Sequence, residues 1–266
     1  MSSKLVNILI RFIPENNRIE RIWKLAQVDF RGRYYNDRLG LLWALIKPVF
    51  EVIVYYFVFS IILQSEVDNY ALFLFSGLIF WMYFSETTKG GIDLLKTKLY
   101  LIENIQFQRL DLFLSFSIST FFALIFNFVA YTLFSLASGV FYDVKLFMIC
   151  IPLVCLYLMS FGVTLMLATL KPFLKDLQHL WDMILLAGFW GSGIFFSVEL
   201  LESSDFAWTI PLNPMIGIME NIRACLLPNI MWNTQLMLSS AIYSVSIAIL
   251  GYIVWRRLGY RAVEKL

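Results

Sequence analysis

Histidine occurs once in these 266 residues, cysteine three times, and charged side chains make up only 15% of the chain. The single histidine, His179, lies in a short polar stretch with Lys175, Asp176 and Asp182 and has no neighbouring Cys or Ser, so it reads as a solvated loop residue rather than a general base. Cys150 and Cys155 share one apolar stretch and Cys225 stands apart, which fits neither zinc spacing nor a disulfide framework, and no metal site is expected. A phosphate-binding loop of the form G-x-x-x-x-G-K-[ST] is missing, and the nearest glycine pair, Gly90 and Gly91, is not followed by one. If ATP drives this protein, another chain binds it. The apolar run after Lys4 ends at Arg11 without a small-residue cleavage site, so no secretory signal is read.

What the chain has in abundance is apolar length: 60% of residues are hydrophobic and the mean hydropathy is +0.74. A bilayer core of ~30 Å takes about 20 apolar residues as a helix, because lipid offers backbone groups no partner. Six stretches meet that requirement, Leu39 to Leu63, Tyr70 to Thr87, Leu112 to Ala137, Leu146 to Leu170, Leu177 to Val198 and Thr234 to Trp255. The segments between them carry very unequal charge. Eight Lys and Arg precede the first span, four lie between the second and third (Lys89, Lys96, Lys98, Arg109), two between the fourth and fifth (Lys171, Lys175), and four in the tail. The other side holds only Lys145 and Arg223. Short cytoplasmic loops retain positive charge, so both termini are expected in the cytoplasm. The net charge of +2 therefore describes topology, and no nucleic-acid surface is expected.

The expected fold is all-α and membrane-integral, with a segment 1–38, a six-helix permease-like body 39–256 and a tail 257–266. Before the first span, Ile19, Ile22, Trp23, Ala26 and Phe30 recur at helical spacing among Arg18, Glu20, Arg21, Lys24 and Arg31. This is an amphipathic helix suited to the membrane interface or to packing on a partner subunit, and both uses are compatible. Between the fifth and sixth spans, Asn213 and Pro214 form a helix start. Met215, Ile218, Met219, Ile222 and Leu226 then line one face, with Glu220, Asn221 and Arg223 on the other. Together with the apolar run before Pro211 this predicts a broken hairpin dipping into the outer leaflet, placed to act as an exit gate.

Lys47 and Glu51 sit four apart within the first span. Either Lys47 snorkels while Glu51 pairs with it, or this face lines a hydrated path or meets an anionic headgroup. Aromatic residues make 17% of the chain. Trp43, Phe50 and Phe57 form one row, Phe73, Phe80 and Phe84 another, and Phe189, Trp190, Phe195 and Phe196 surround Gly188, Gly191 and Gly193. Such rows serve as packing or lipid-facing wall, or as a sliding surface for the C–H faces of sugars. The apolar residues of the Thr88 to Asp111 loop either pack beneath the spans or dock onto a partner.

The segment Asp29 to Ser60 resembles the opening of permease subunits of type 2 ABC exporters, particularly those that move O-antigen and related cell-surface polysaccharides. The resemblance rests on R-x-R-Y at Arg31 to Tyr34, L-G-x-L-W at Leu39 to Trp43 and Pro48, and continues through Phe73 to Phe84, Leu101 to Leu110, Lys171 to Leu185 and the Pro211, Asn213, Pro214 and Arg223 segment. At Gln108 the family often has proline, and Lys47 and Glu51 stand where more neutral residues are expected. The resemblance implies a homodimer with two copies of an ATPase that binds ATP and magnesium, exporting a polyprenyl-pyrophosphate-linked polysaccharide across a bacterial inner membrane. It places the substrate path at Trp43, Phe50, Phe57, Phe73, Phe80, Phe84, Phe189 and Trp190. The lipid pyrophosphate would meet Arg31, Arg33 and Arg38, with Lys47 and Glu51 nearby. The ATPase would couple at Lys96, Leu99, Ile102, Asn104, Phe107 and Arg109 and at Lys175, Asp176 and His179. The gate would be Pro214, Ile218, Ile222 and Arg223. A permease for capsular polysaccharide, teichoic acid or a drug-like lipid shares this frame. A membrane enzyme acting on lipid-linked sugars would need clustered acids or histidines at one face, which are absent, and a passive channel would need no ATP motif.

Overall fold

A computed structural model describes residues 18–34, 40, 42–62, 69–104, 108–142 and 144–266. The described residues are helical and contain no strand. Among the described residues, five stretches are long and apolar enough to cross a bilayer: Leu45–Ile62, Tyr70–Ile92, Leu110–Ala137, Val144–Leu170 and Thr234–Glu264. They match five of the six predicted spans, because backbone satisfaction in lipid leaves an apolar run of this length little choice but helix.

The first described helix, α1 (Arg18–Tyr34), carries Glu20 in its first turn and Arg31 and Arg33 in its last, which suits the helix dipole. Helix α2 (Leu42–Tyr56) continues into a wider turn at Phe57–Ile62. Helix α3 (Tyr70–Ile92) is followed by the short α4 (Leu94–Thr97) and α5 (Leu99–Asn104). Then come α6 (Leu110–Ala137), a 3-10 segment Val144–Ile149 leading into α7 (Cys150–Leu170), and α8 (Leu177–Gly191). The remainder is α9 (Val198–Glu202), a 3-10 segment Ala207–Leu212, α10 (Pro214–Leu226) and α11 (Thr234–Glu264).

Helix α3 is the axis of the bundle. It packs on α2, α6, α7, α8 and α10, and 83% of its span is buried. Helices α7 and α11 form the most extensive pair, and at their crossing a Cβ on Gly251 would run into the Gly162 carbonyl oxygen. Small residues permit this approach, which replaces the hydrophobic drive missing inside lipid. Helix α2 is peripheral, with only 11% of its span buried.

The predicted fifth span is different. Helix α8 has 15 residues, or about 22 Å, which falls short of the ~30 Å core. The chain turns at Gly193, whose φ of +71° favours glycine, and the following residues fold back as α9, the second 3-10 segment and α10. The last helix runs nine residues beyond its predicted end at Trp255, so most of the expected tail 257–266 is helix.

Segments expected on one side do meet. Residues from the ends of α3 and α7 and from the α11 tail line one cavity, and Leu94, Leu95, Phe113, Leu165, Ala168 and Ala262 pack together beside it. This is called the basic end below.

Candidate functional site

At the opposite end, α10 is built as a buried plug. Asn213 starts it, with Oδ1 accepting from the Met215 backbone N–H at 3.0 Å while Nδ2 donates to the Gly191 carbonyl at 2.9 Å. The helix start is therefore also tied to the end of α8. Ile218 and Ile222 are fully buried, as the apolar pattern requires, and Pro214 is half-buried. The expected polar face is buried too, which corrects the amphipathic reading of this helix. Glu220 is 6% exposed and Asn221 and Arg223 are 1% or less.

Arg223 explains how such burial is tolerated. Its guanidinium donates to the carbonyl oxygens of Gly193 at 2.6 Å, Ile194 at 2.9 Å and Phe73 at 3.2 Å, and lies 3.4 Å from the Phe73 ring centre. A Cβ on Gly77 would come within 2.7 Å of it. One side chain thus joins α10, the turn after α8 and the start of α3. Burial pushes its pKa down to about 10, opposed by nearby Glu220, and it stays charged at neutral pH.

Burial raises the Glu220 pKa to about 7, with Arg223 opposing and Glu199 and Glu202 adding to the rise. Below pH 4.5 both folded and unfolded chains hold this proton and the group contributes nothing. Between that value and about 7 only the folded chain holds it, so its contribution falls as pH rises through the window and levels above it. Thermal unfolding of Glu220→Gln is expected to lack this fall and to exceed the parent by on the order of 2 kcal/mol at pH 8. A parallel pH profile in the two proteins would refute this.

The aromatic rows separate into two environments. Phe73, Phe80 and Phe84 are buried within the bundle, whereas Trp43, Phe50 and Phe57 lie on the open side of α2, Phe50 being 64% exposed. The third group closes around Phe195, which is stacked on Phe59 at 4.8 Å and on Trp190 at 4.9 Å, with Tyr55 and Phe189 edge-on at 5.0 and 5.2 Å. This hub fixes the far end of α2 to α8. Trp190 keeps an exposed face and Phe189 is half-buried.

Lys47 lies 3.7 Å from Glu86 of α3 and within electrostatic reach of Glu51, which is half-buried on the same helix. Helix α1 docks on α6 of its own chain. Trp23 and Phe30 meet the Phe122 ring edge-on at 5.4 and 6.3 Å, and Arg33 lies over Phe116 at 5.1 Å. Arg18 and Arg21 bind the two oxygens of the fully buried Asp111 at 2.9 and 2.8 Å, while Lys98 binds Asp29. Arg31 is exposed, and Arg38 lies outside the described residues.

Among the expected coupling residues, Leu99 and Ile102 are half-buried and Ile102 packs toward the Phe113 cluster. Asn104 ends α5, and Phe107 lies outside the described residues. Arg109 covers the Tyr260 ring at 5.1 Å, while Lys96, Lys175, Asp176 and His179 are exposed. Two contacts join the basic-end turns of α3 and α8, and His179, expected in a loop, lies in the first turn of α8: Lys89 meets Asp182 at 2.7 Å, and the Trp181 indole N–H donates to the Thr88 hydroxyl at 3.0 Å. Sequence reading gave no role to Asp29, Glu86, Asp111 or Asp182; Glu86 and Asp182 lie inside predicted spans and Asp111 beside one, a charge in or next to an apolar run being the signal that marks them.

The family model described as ABC-2 type transporter matches residues 20–227, more than three quarters of the chain. The chain belongs to the ABC-2 type transporter family. It is similar to an O-antigen export system permease protein RfbA of Myxococcus xanthus, 26% identical over 209 residues that cover 75% of this chain and 77% of the relative. Two proteins of the same name from Klebsiella pneumoniae are 23% and 22% identical, each covering 91% of this chain and 93% of its own length. With five apolar helices of spanning length, this ABC-2 chain is a multi-pass membrane protein.

Proposed function

We propose that the chain is the membrane subunit of an ATP-driven exporter of cell-surface polysaccharide, moving a polyprenyl-pyrophosphate-linked O-antigen chain from the cytoplasm to the periplasm of a bacterial cell. The observation that carries this reading is the arrangement of α2 within an ABC-2 fold. The bundle seals α3 but leaves α2 peripheral, with Trp43, Phe50 and Phe57 facing away from it. Two copies meeting along α2 and α8 would enclose a path walled by those rings and Trp190. Phe73, Phe80 and Phe84 would then act as its rigid backing.

In this reading the basic end faces the cytoplasm, both termini are cytoplasmic in the inner membrane, and α8 with the turn to Val198 makes a sixth, interrupted crossing. Two copies of a separate ATPase, which binds ATP and magnesium, engage the exposed Asp176 and His179 at the start of α8. A groove of about 360 Å³ lined by Arg33, Lys98, Gly32, Gly90 and Phe116 opens at the same end, where the arginines would meet the lipid pyrophosphate. Helix α10, held by Arg223, covers the exit.

The membrane subunit is expected to co-purify with an ATPase subunit, and a hydrolysis-defective ATPase is expected to stop export. An isolated chain that transports on its own would overturn the assignment. Replacing Phe50 and Phe57 together with Ala is expected to lower polysaccharide export about tenfold or more, from lost stacking at two rings, while the assembly still elutes intact. Loss of the dimer instead would make these rings packing residues.

A further inference from the structure

The basic end holds a second cavity, of about 330 Å³, where the ends of α3, α4, α7 and α11 converge. Lys96, Lys171, Lys175 and Lys265 line it, with Asp93 as the single acidic side chain among the lining residues. Its floor is apolar, from Ile92, Leu95, Ala168 and Pro172.

The other lysines described at this end are neutralised. Lys24 is 2.6 Å from Glu20, Lys47 is 3.7 Å from Glu86, Lys89 is 2.7 Å from Asp182, and Lys98 is bound to Asp29. The four cavity lysines differ, since among the described residues none has a carboxylate within ion-pair reach. Lys171 donates to the Lys175 carbonyl at 3.0 Å, and Lys265 lies over the Phe173 ring at 4.7 Å. Helix C-termini at this end oppose the charge by about half an elementary charge each and Asp93 by one more, which leaves the four lysines in excess. Unpaired ammonium groups around a concavity repel one another unless an anion sits between them.

We infer that this cavity binds the headgroup of an anionic phospholipid of the inner leaflet. The apolar floor distinguishes this ligand from an acidic protein surface: it lies at the ends of apolar spans, where glycerol and the first acyl carbons would rest below a phosphate held by lysines. The site is separate from the Arg33 groove of the proposed function. It rests on that reading in one respect, the topology that puts the basic end at the cytoplasmic face.

The test uses the full-length protein purified with its bound partners and titrated by native mass spectrometry. Phosphatidylglycerol is expected to bind about tenfold more tightly than phosphatidylcholine. The variant Lys96→Gln/Lys171→Gln/Lys175→Gln/Lys265→Gln is expected to lose that preference, and the four Lys→Arg replacements to keep it, which separates lost charge from lost folding. Inorganic phosphate at millimolar concentration is expected to leave phosphatidylglycerol in place. An unchanged preference in the Gln variant would overturn the site. So would complete displacement by inorganic phosphate, which would make the ligand a free anion. Loss of the ATPase subunit with the lipid preference intact would overturn it too, by making the lysines a protein contact. Labelling of Lys175→Cys with an impermeant maleimide checks the topology independently. Reaction from the cytoplasmic side with no lipid preference would sink the lipid site alone, whereas reaction from the outer side would sink the topology as well.

Discussion

Arg223→Leu is expected to destabilise the protein by about 3 kcal/mol or more, the largest single-residue effect in the molecule. Three backbone carbonyls, those of Phe73, Gly193 and Ile194, take their hydrogen bonds from this guanidinium. An apolar replacement leaves the Gly193 and Ile194 carbonyls buried without those donors, at about 1–3 kcal/mol each, while the Phe73 carbonyl keeps the Ser76 hydroxyl at 2.8 Å. For a chain of this size the loss corresponds to a fall of roughly 6–12 °C in melting temperature, read from tryptophan fluorescence in detergent. Arg223→Lys is expected to recover only part of it. An ammonium presents three donors without a planar fork and cannot both reach carbonyls on two segments and stack on the Phe73 ring. A shift below about 2 °C for Arg223→Leu would show that the carbonyls find other partners and that α10 is not held by this residue.

Asp111→Ala is expected to free α1 while leaving the bundle folded. The buried carboxylate accepts from both Arg18 and Arg21, and charge-assisted hydrogen bonds contribute about 1.5–3 kcal/mol each. The arginines are each more than a third exposed and regain water when released, so about 3 kcal/mol of docking energy is at stake rather than the full sum. Hydrogen exchange of residues 18–34 should then accelerate by on the order of a hundredfold, with little change in α3 or α7. Adding Arg18→Ala to Asp111→Ala should bring little further loss, because both act through one contact. Additive losses would place the energy of Arg18 elsewhere.

These two contacts also show where sequence reading stops. The length of α6, and that of α7 taken with the 3-10 segment before it, is legible to within two residues because lipid penalises every unsatisfied backbone group. The start of α10 is legible because Asn213 and Pro214 act locally. The clamp on Asp111 is not, since its partners lie 90 and 93 positions away. Arg223 reads as an outside charge because its acceptors are carbonyls, which no side-chain pattern marks. Phe50 and Phe80 are the same residue in similar apolar runs, and only packing makes one exposed and the other buried. The fifth predicted span reads as one continuous helix because apolar residues continue past Gly191, but the positive φ at Gly193 turns the chain and interrupts it. Lys47 and Glu51 share a helix face, yet Glu86 on the neighbouring helix lies within reach of the lysine.

The central claim, that this ABC-2 chain conducts a lipid-linked polysaccharide under the control of a separate ATPase, is tested most directly by reconstitution. The chain and its ATPase are placed in vesicles with the lipid-linked polysaccharide in the outer leaflet and the ATPase facing out, and protection of the sugar from an added glycosidase is followed. Protection that grows with ATP, and is lost with a hydrolysis-defective ATPase, is the predicted result. Protection that develops equally without ATP, or never develops although ATP is hydrolysed, would contradict the account.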